Sequence, residues 1–237
     1  MIELNGIKWH SNERSKIHDL KKKSIAEENG YQLITIFEDE WKKRNQIIKE
    51  ILKTKLFSSK NLIFLRPNKC QIKQISSSTA NTFYEQFHYI GRCKSIINYG
   101  VYFENKLIAC ASFSHPTRQS KYEWELVRMA SDSAYRVHGI WSKLLKRFIH
   151  EHSPESIVSF SDNRLFSGGV YSKIGFRFDG EIPPDYYWTI GNDRYHKSNL
   201  RKTEEERKSG LTETQLREAQ GYRRIWDLGK KRWVIFP

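Results

Sequence analysis

Two side chains in "SFSDNRLFSGGVYSKIGFRF", residues 159–178, are of types that move protons. Asp162 closes an alternating run that reads as a strand, and Tyr171 falls early in the helix read over "GGVYSKIG". A carboxylate can take a proton and a phenol can give one. Plainer work also suits them: Asp162 as an N-cap or Asx turn, Tyr171 as a core aromatic. His88, beside an aromatic helix end, is of a type that packs more often than it acts as a base.

The elements that must position these groups are read from periodicity. "RSKIHDLKKKSIAEEN" has helical spacing and a glycine stop at Gly30, "GYQLITIF" reads as a buried strand, and "EDEWKKRNQIIKEILKTKLF" as a charged helix. "FSSKN" is a polar break that suggests a first boundary near residue 58. Beyond it come strands in "NLIFLRP" and "CQIKQI", a helix around "STANTFYEQFHY", and strands "INYGVYFE" and "KLIACASFS" joined by an "NK" turn. "YEWELVRMA" is a strand, "RVHGIWSKLLKRFIHEH" an amphipathic helix, "FRFDG" a turn and "YYWTIG" a further strand. The string predicts an α/β fold, a mixed sheet flanked by helices, over 59–193. The tail, 194–237, reads as a helix and then a hairpin, "YRRIWDLGKKRWVIF".

Lys and Arg number 41 against 27 Asp and Glu, a net charge of +14. Such an excess, interleaved with aromatic residues, points to nucleic acid as partner. Arg194, Arg201, Lys202, Arg223, Arg224, Lys230, Lys231 and Arg232 in the tail are the candidates for phosphate contact. Equally, the tail tryptophans could plug a core while the charges are solvated. Cys70, Cys93 and Cys110 lack CxxC spacing and predict neither a zinc site nor a disulfide frame. With no long apolar run and no leader pattern, the chain is expected inside the cell and off the membrane.

"ELVRMA", a loop, and then "RVHGIWSKLL" resemble the cofactor pyrophosphate site of the GNAT acyltransferase fold. The resemblance implies acyl-CoA, acetyl-CoA foremost, held by Arg136, Gly139, Ser142 and Lys143 at a helix N-terminus, where free N–H groups and the helix dipole favour phosphate. Trp141 stands where Gly or Ala is usual. More narrowly, "FHY" (87–89), "LVRM" (126–129), "SFSD" (159–162) and "GVYSKIGF" (169–176) resemble phage Mom-type proteins, GNAT-fold enzymes that modify adenine in DNA. That implies catalytic roles for Asp162, Tyr171, His88 and Arg128 around an acceptor nitrogen.

"MIELNGIKWHS", "KIHDLKKK" and "GYQLITIFEDEW" resemble the later part of very-short-patch-repair-type nucleases and the EDxHD homing endonucleases of phages. The likeness implies a partial PD-(D/E)xK-like α/β module over 1–58, with Glu3, His10, His18 and Asp19 as a nuclease remnant. Mg²⁺ would matter only if that module still cleaves. The favoured expectation is a DNA-acting, acyl-CoA-dependent transferase. The alternatives are an endonuclease relative whose GNAT-like region only binds DNA, and an acetyltransferase for proteins or small amines.

Overall fold

Residues 1–57, 62–117 and 121–237 are described by the structure, a computed structural model. The polar break expected at 57–61 falls, Phe57 apart, outside them. The chain begins with β1 (Ile2–Asn5), α1 (Ile7–His10), α2 (Glu13–Glu28), β2 (Ile34–Phe37), α3 (Glu38–Lys43) and α4 (Asn45–Leu56). There follow β3 (Ile63–Leu65), β4 (Gln71–Gln74), α5 (Ser77–Phe87), β5 (Ile97–Phe103), β6 (Lys106–Ser114), β7 (Trp124–Ser131) and β8 (Tyr135–Val137). Next are α6 (Ile140–His152), β9 (Ile157–Asp162), α7 (Gly169–Lys173), β10 (Arg177–Ile182), β11 (Tyr186–Ile190) and β12 (Asp193–His196). Last come α8 (Glu204–Lys208), α9 (Glu213–Ala219), β13 (Arg223–Trp226) and β14 (Lys230–Ile235).

These elements form two compact units, each drawn from separated stretches of chain. The first holds Met1–Lys43, Asp162–Ser167 and Glu181–Lys231; the second holds Arg44–Ser161, Gly168–Gly180 and Arg232–Pro237.

A seven-stranded sheet in the order β10-β14-β9-β7-β6-β5-β4 dominates the second unit. It is antiparallel from β4 to β7 and parallel between β7 and β9, the mixed sheet expected from the alternation of strands and helices. The β5–β6 hairpin turns at Glu104 and Asn105, both at positive φ, one residue earlier than the expected "NK". On one face α6 buries Leu144, Leu145 and Phe148, and Phe148 stacks on Phe113 at 3.8 Å. On the other, α5 brings Ala80, Phe83 and Tyr84 against Cys110 and Ala130. Ser76 caps α5 by accepting the Thr79 N–H.

In the first unit β1 pairs parallel with β2, whose four residues are all buried. A three-stranded sheet, β12-β11-β13, packs around the fully buried Trp188. The hairpin expected in the tail does not form. β13 pairs with β11, while β14 enters the large sheet between β10 and β9. Gly229 makes the departure possible: at φ +76° it lies so close to the Ile182 carbonyl that a Cβ would meet it at 2.4 Å. "FRFDG", read as a turn, is the start of β10, and β12 was not foreseen.

Candidate active site

β7 and β9 part soon after they meet. Their register holds at Trp124↔Ile157 and Glu125↔Val158, and beyond it the bridge is a side chain: Ser159 Oγ lies 2.8 Å from the Leu126 carbonyl oxygen. Opposite, on the β6 side, β7 carries a bulge. Ser112 faces Arg128 and Phe113 faces Leu126, leaving Val127 unmatched. The extra residue changes the phase of the pleat, so Leu126 and Met129, three positions apart, both pack on the cluster beneath α6.

Tyr171 is brought to this parting by α7. Its hydroxyl is 3.0 Å from Ser159 Oγ and donates to the Phe160 carbonyl at 3.2 Å. Part of the ring is exposed, but the hydroxyl end is enclosed, and burial pushes the phenol above its ordinary range. Trp233 lies alongside, its rings stacked on Tyr171 at 5.8 Å and 18°, and its indole N–H donates to Ser161 Oγ at 2.9 Å. Gly168 caps α7 at φ +86°, and a Cβ there would be 2.3 Å from the Trp233 ring. The glycine therefore serves the Trp233–Tyr171 stack. Sequence reading missed Ser159 and left Trp233 undecided between core and phosphate surface. The signal available was the glycine ahead of the tyrosine.

On the α5 side of the bulge, Arg128 Nη1 is 3.4 Å from His88 Nδ1, and Nη2 donates to the Arg92 carbonyl at 3.3 Å. The Ile90 N–H donates to the same His88 Nδ1 at 3.1 Å. That nitrogen is thus an acceptor, and the ring proton sits on Nε2. Burial first, then the Arg128 and Arg44 charges, hold His88 well below its usual range, so it is neutral. In this state it is suited to donate a hydrogen bond rather than to take a proton. Among the described residues Arg128 Nε is buried with no partner. Beneath the bulge, Tyr84 bonds Ser112 at 2.7 Å and Ser112 donates to Asn98 at 2.5 Å.

Gly139, at φ +73°, caps the N-terminus of α6 without a side-chain cap. The first-turn N–H groups of such a helix have no intrahelical acceptor. Among the described residues only Pro67 Cγ, at 4.0 Å, comes near a Cβ built on Gly139. Arg136 lies on β8 and is exposed, Ser142 is half-buried, and Lys143 Nζ donates to the Pro67 carbonyl at 3.0 Å. The open backbone and the cations around it fit a phosphate-bearing ligand.

The Mom protein family matches residues 69–236. This chain belongs to the Mom protein family. Solved structures similar to this Mom-family chain include a GNAT family acetyltransferase from Elizabethkingia anophelis with acetyl-CoA bound, 16% identical, covering 72% of this chain and 99% of its own, TM-score 0.41. The ribosomal-protein-S18-alanine N-acetyltransferase from Escherichia coli is 12% identical over 70% of this chain and 92% of its own, TM-score 0.42. At such scores the likeness fixes no residue's role. Among curated proteins none matches this chain.

Within the Mom match, Asp162 lies in the first unit. Its Oδ1 accepts the Arg164 N–H at 2.9 Å, an Asx turn, and its Oδ2 pairs with Arg164 Nη2 at 2.8 Å. Arg164 Nη1 reaches Glu40 at 2.9 Å, and Glu40 also takes Arg194 Nη2 at 2.7 Å. Arg194 Nε completes the cluster on Asp39 at 3.3 Å. Both guanidinium groups lie over the Phe37 ring, at 4.5 and 4.1 Å. Burial alone would raise the Glu40 carboxyl, but the two arginines outweigh it and hold it at about 2. Arg194, expected on a DNA face, is therefore a buried ion-pair partner.

Other tail cations are also engaged. Arg232 pairs with Asp179 at 2.6 Å, Arg224 reaches Glu13 at 3.5 Å, and Lys202 Nζ donates to the Leu211 carbonyl at 2.6 Å. Arg201 and Arg223 are exposed, and Lys230 and Lys231 are half-buried.

Ahead of the Mom match, Glu3, His10 and Asp19 come together and His18 does not. His10 Nδ1 is 2.8 Å from Asp19 Oδ2, while His18 is exposed on α2. The sequence reading passed over Lys22, whose ammonium lies 3.0 Å from Asp19 Oδ1 and also binds Glu3. A cation between two carboxylates fills the place of a metal ion, so these residues do not fit Mg²⁺. Among the described residues no group of three or more His, Cys, Asp or Glu could hold a metal.

Proposed function

We propose that this protein transfers an acyl group from acyl-CoA to an amine on a DNA base. The observation that carries the reading is the buried, proton-bearing Tyr171 phenol at the parting of β7 and β9, inside the stretch matched by the Mom family. The first turn of α6, with Gly139, Arg136, Ser142 and Lys143, would hold the cofactor phosphates. Bound acyl-CoA supplies an activated thioester, whose sulfur needs a proton as it leaves. Tyr171 holds a proton for that sulfur, and Ser159 takes part in the hydrogen bonds that fix the phenol. His88, neutral and protonated on Nε2, donates a hydrogen bond toward the acyl oxygen with the Arg128 charge behind it. The acceptor amine sheds a proton as its bond to the acyl carbon forms, and that proton passes to water, from which the Tyr171 phenol recovers its own. The net charge of +14 and the exposed Arg201 and Arg223 suit a polyanionic acceptor.

Calorimetric titration of acyl-CoA and free CoA, with and without duplex DNA, tests the reading together with a nucleoside mass scan after incubation. Binding plus a mass gain on one base supports it; no binding and no gain overturn it. Trp141, where a small residue is usual, favours a second reading in which the GNAT-like region only binds DNA. Firm DNA binding with no response to acyl-CoA would establish that reading. The segment 1–58 is read as nuclease-derived and without cleavage activity, on the strength of Lys22 between Glu3 and Asp19.

A further inference from the structure

Between α6 and the edge strand β4 runs an open groove of about 430 Å³, lined by Cys70, Gln71, Ile72, Lys73, Lys143 and Arg147. We propose that this groove is the subsite for the ribose phosphate of CoA, a phosphomonoester, with Lys73, Lys143 and Arg147 as its contacts. The inference rests on the acyl-CoA reading above and adds Lys73 and Arg147, which that reading does not use.

Lys143 stands in the first turn of α6, at the proposed cofactor phosphates, and also lines the groove, so the groove opens where those phosphates would lie. Arg147, four residues on, shares the same face of the helix about one turn further along. Lys143 Nζ donates to the Pro67 carbonyl, and Lys73 Nζ lies 5.3 Å from the centre of the Tyr102 ring. Among the described residues neither lysine meets a carboxylate. Arg147 Nε is held by Glu151 at 2.7 Å, and Nη1 donates to the Ile72 carbonyl. Those two bonds fix the planar fork, and Nη2 has no further partner among the described residues. No acidic side chain of the described residues lines the groove. Burial holds the Cys70 thiol above its ordinary range, so it brings no negative charge either. Three cations against the single Glu151 leave a surplus of two positive charges. A phosphomonoester carries about two negative charges at neutral pH, whereas each phosphodiester of DNA carries one. The charge match favours the cofactor over a DNA backbone as occupant. Size agrees, since the groove is on the scale of a small-ligand pocket and larger than a phosphate alone needs. Half-buried Ile72 gives an apolar wall for the ribose that bears the phosphate.

The experiment compares CoA with 3′-dephospho-CoA by calorimetry on the full chain. It uses the wild type, Lys73→Gln and Lys146→Gln, the last an exposed lysine of α6 outside the groove. Urea unfolding checks each fold, and a duplex DNA titration runs beside each. The wild type should bind CoA about tenfold more tightly than 3′-dephospho-CoA, the scale of one charge-assisted hydrogen bond. Lys73→Gln should reduce that preference to about threefold or less with 3′-dephospho-CoA affinity unchanged, while Lys146→Gln keeps it. Equal binding of the two ligands by the wild type, which needs no variant, overturns the inference and leaves the acyl-CoA reading in place. An undiminished preference in Lys73→Gln, or a loss there of DNA affinity alone, overturns it as well. So does an equal loss of preference in Lys146→Gln, which would make the effect one of general surface charge. If the wild type binds neither ligand, the acyl-CoA reading falls, and this inference with it.

Discussion

A phenol that must give up a proton is useful only while it still holds one, and the enclosure of the Tyr171 hydroxyl secures that. Tyr171→Phe should therefore cut kcat about a hundredfold, the usual reach of general acid catalysis, while leaving acyl-CoA affinity intact by calorimetry. Gly168→Ala meets both a positive φ and the Trp233 ring, and should cost about 2 kcal/mol or more in urea unfolding. Asp162 and Tyr171 were legible because a carboxylate and a phenol stand out in an apolar, glycine-bearing stretch. Trp233 was not, because the sequence leaves it 72 positions from the Ser161 hydroxyl it binds. Lys22 escaped for another reason: in "LKKKS" nothing distinguishes the lysine that turns inward from the two beside it.

Among the elements, those with a strong local period were readable: α2, α5, α6 and the β5–β6 hairpin stand where the alternation places them. The tail was misread because a turn signal between two strand-like runs looks the same whether the strands pair with each other or leave for separate sheets. The deciding contact, Gly229 against the Ile182 carbonyl, is remote in sequence. The bulge at Val127 was equally hidden, since "ELVRMA" reads as a plain strand and only its pairing partners reveal the extra residue. For α6, the open N-terminus gives a direct test. Gly139→Asn, tolerated at positive φ, adds a side chain over the first-turn N–H groups and should weaken acyl-CoA binding with little change in unfolding midpoint.

On the scale of the whole molecule, the excess of positive charge was legible from composition, but which cations are free was not. Arg194 is spent on Asp39 and Glu40, and Arg232 on Asp179. Arg223→Gln should accordingly reduce the slope of log K against log salt for DNA by about one, and Arg194→Gln should instead lower stability. Acid acts on the same cluster. The Glu40 carboxyl is depressed from 4.5 to about 2, so its contribution is complete above 4.5 and is lost as pH falls toward 2. Urea midpoints followed through that window should drop more steeply for the wild type than for Glu40→Gln. β14, finally, carries a consequence for the birth of the protein. It lies between β10 and β9, both made before it, so a growing chain on the ribosome holds two unsatisfied strand edges until β14 emerges. Stalling translation just short of Lys230 should leave a nascent chain that chaperones grip and proteases cut.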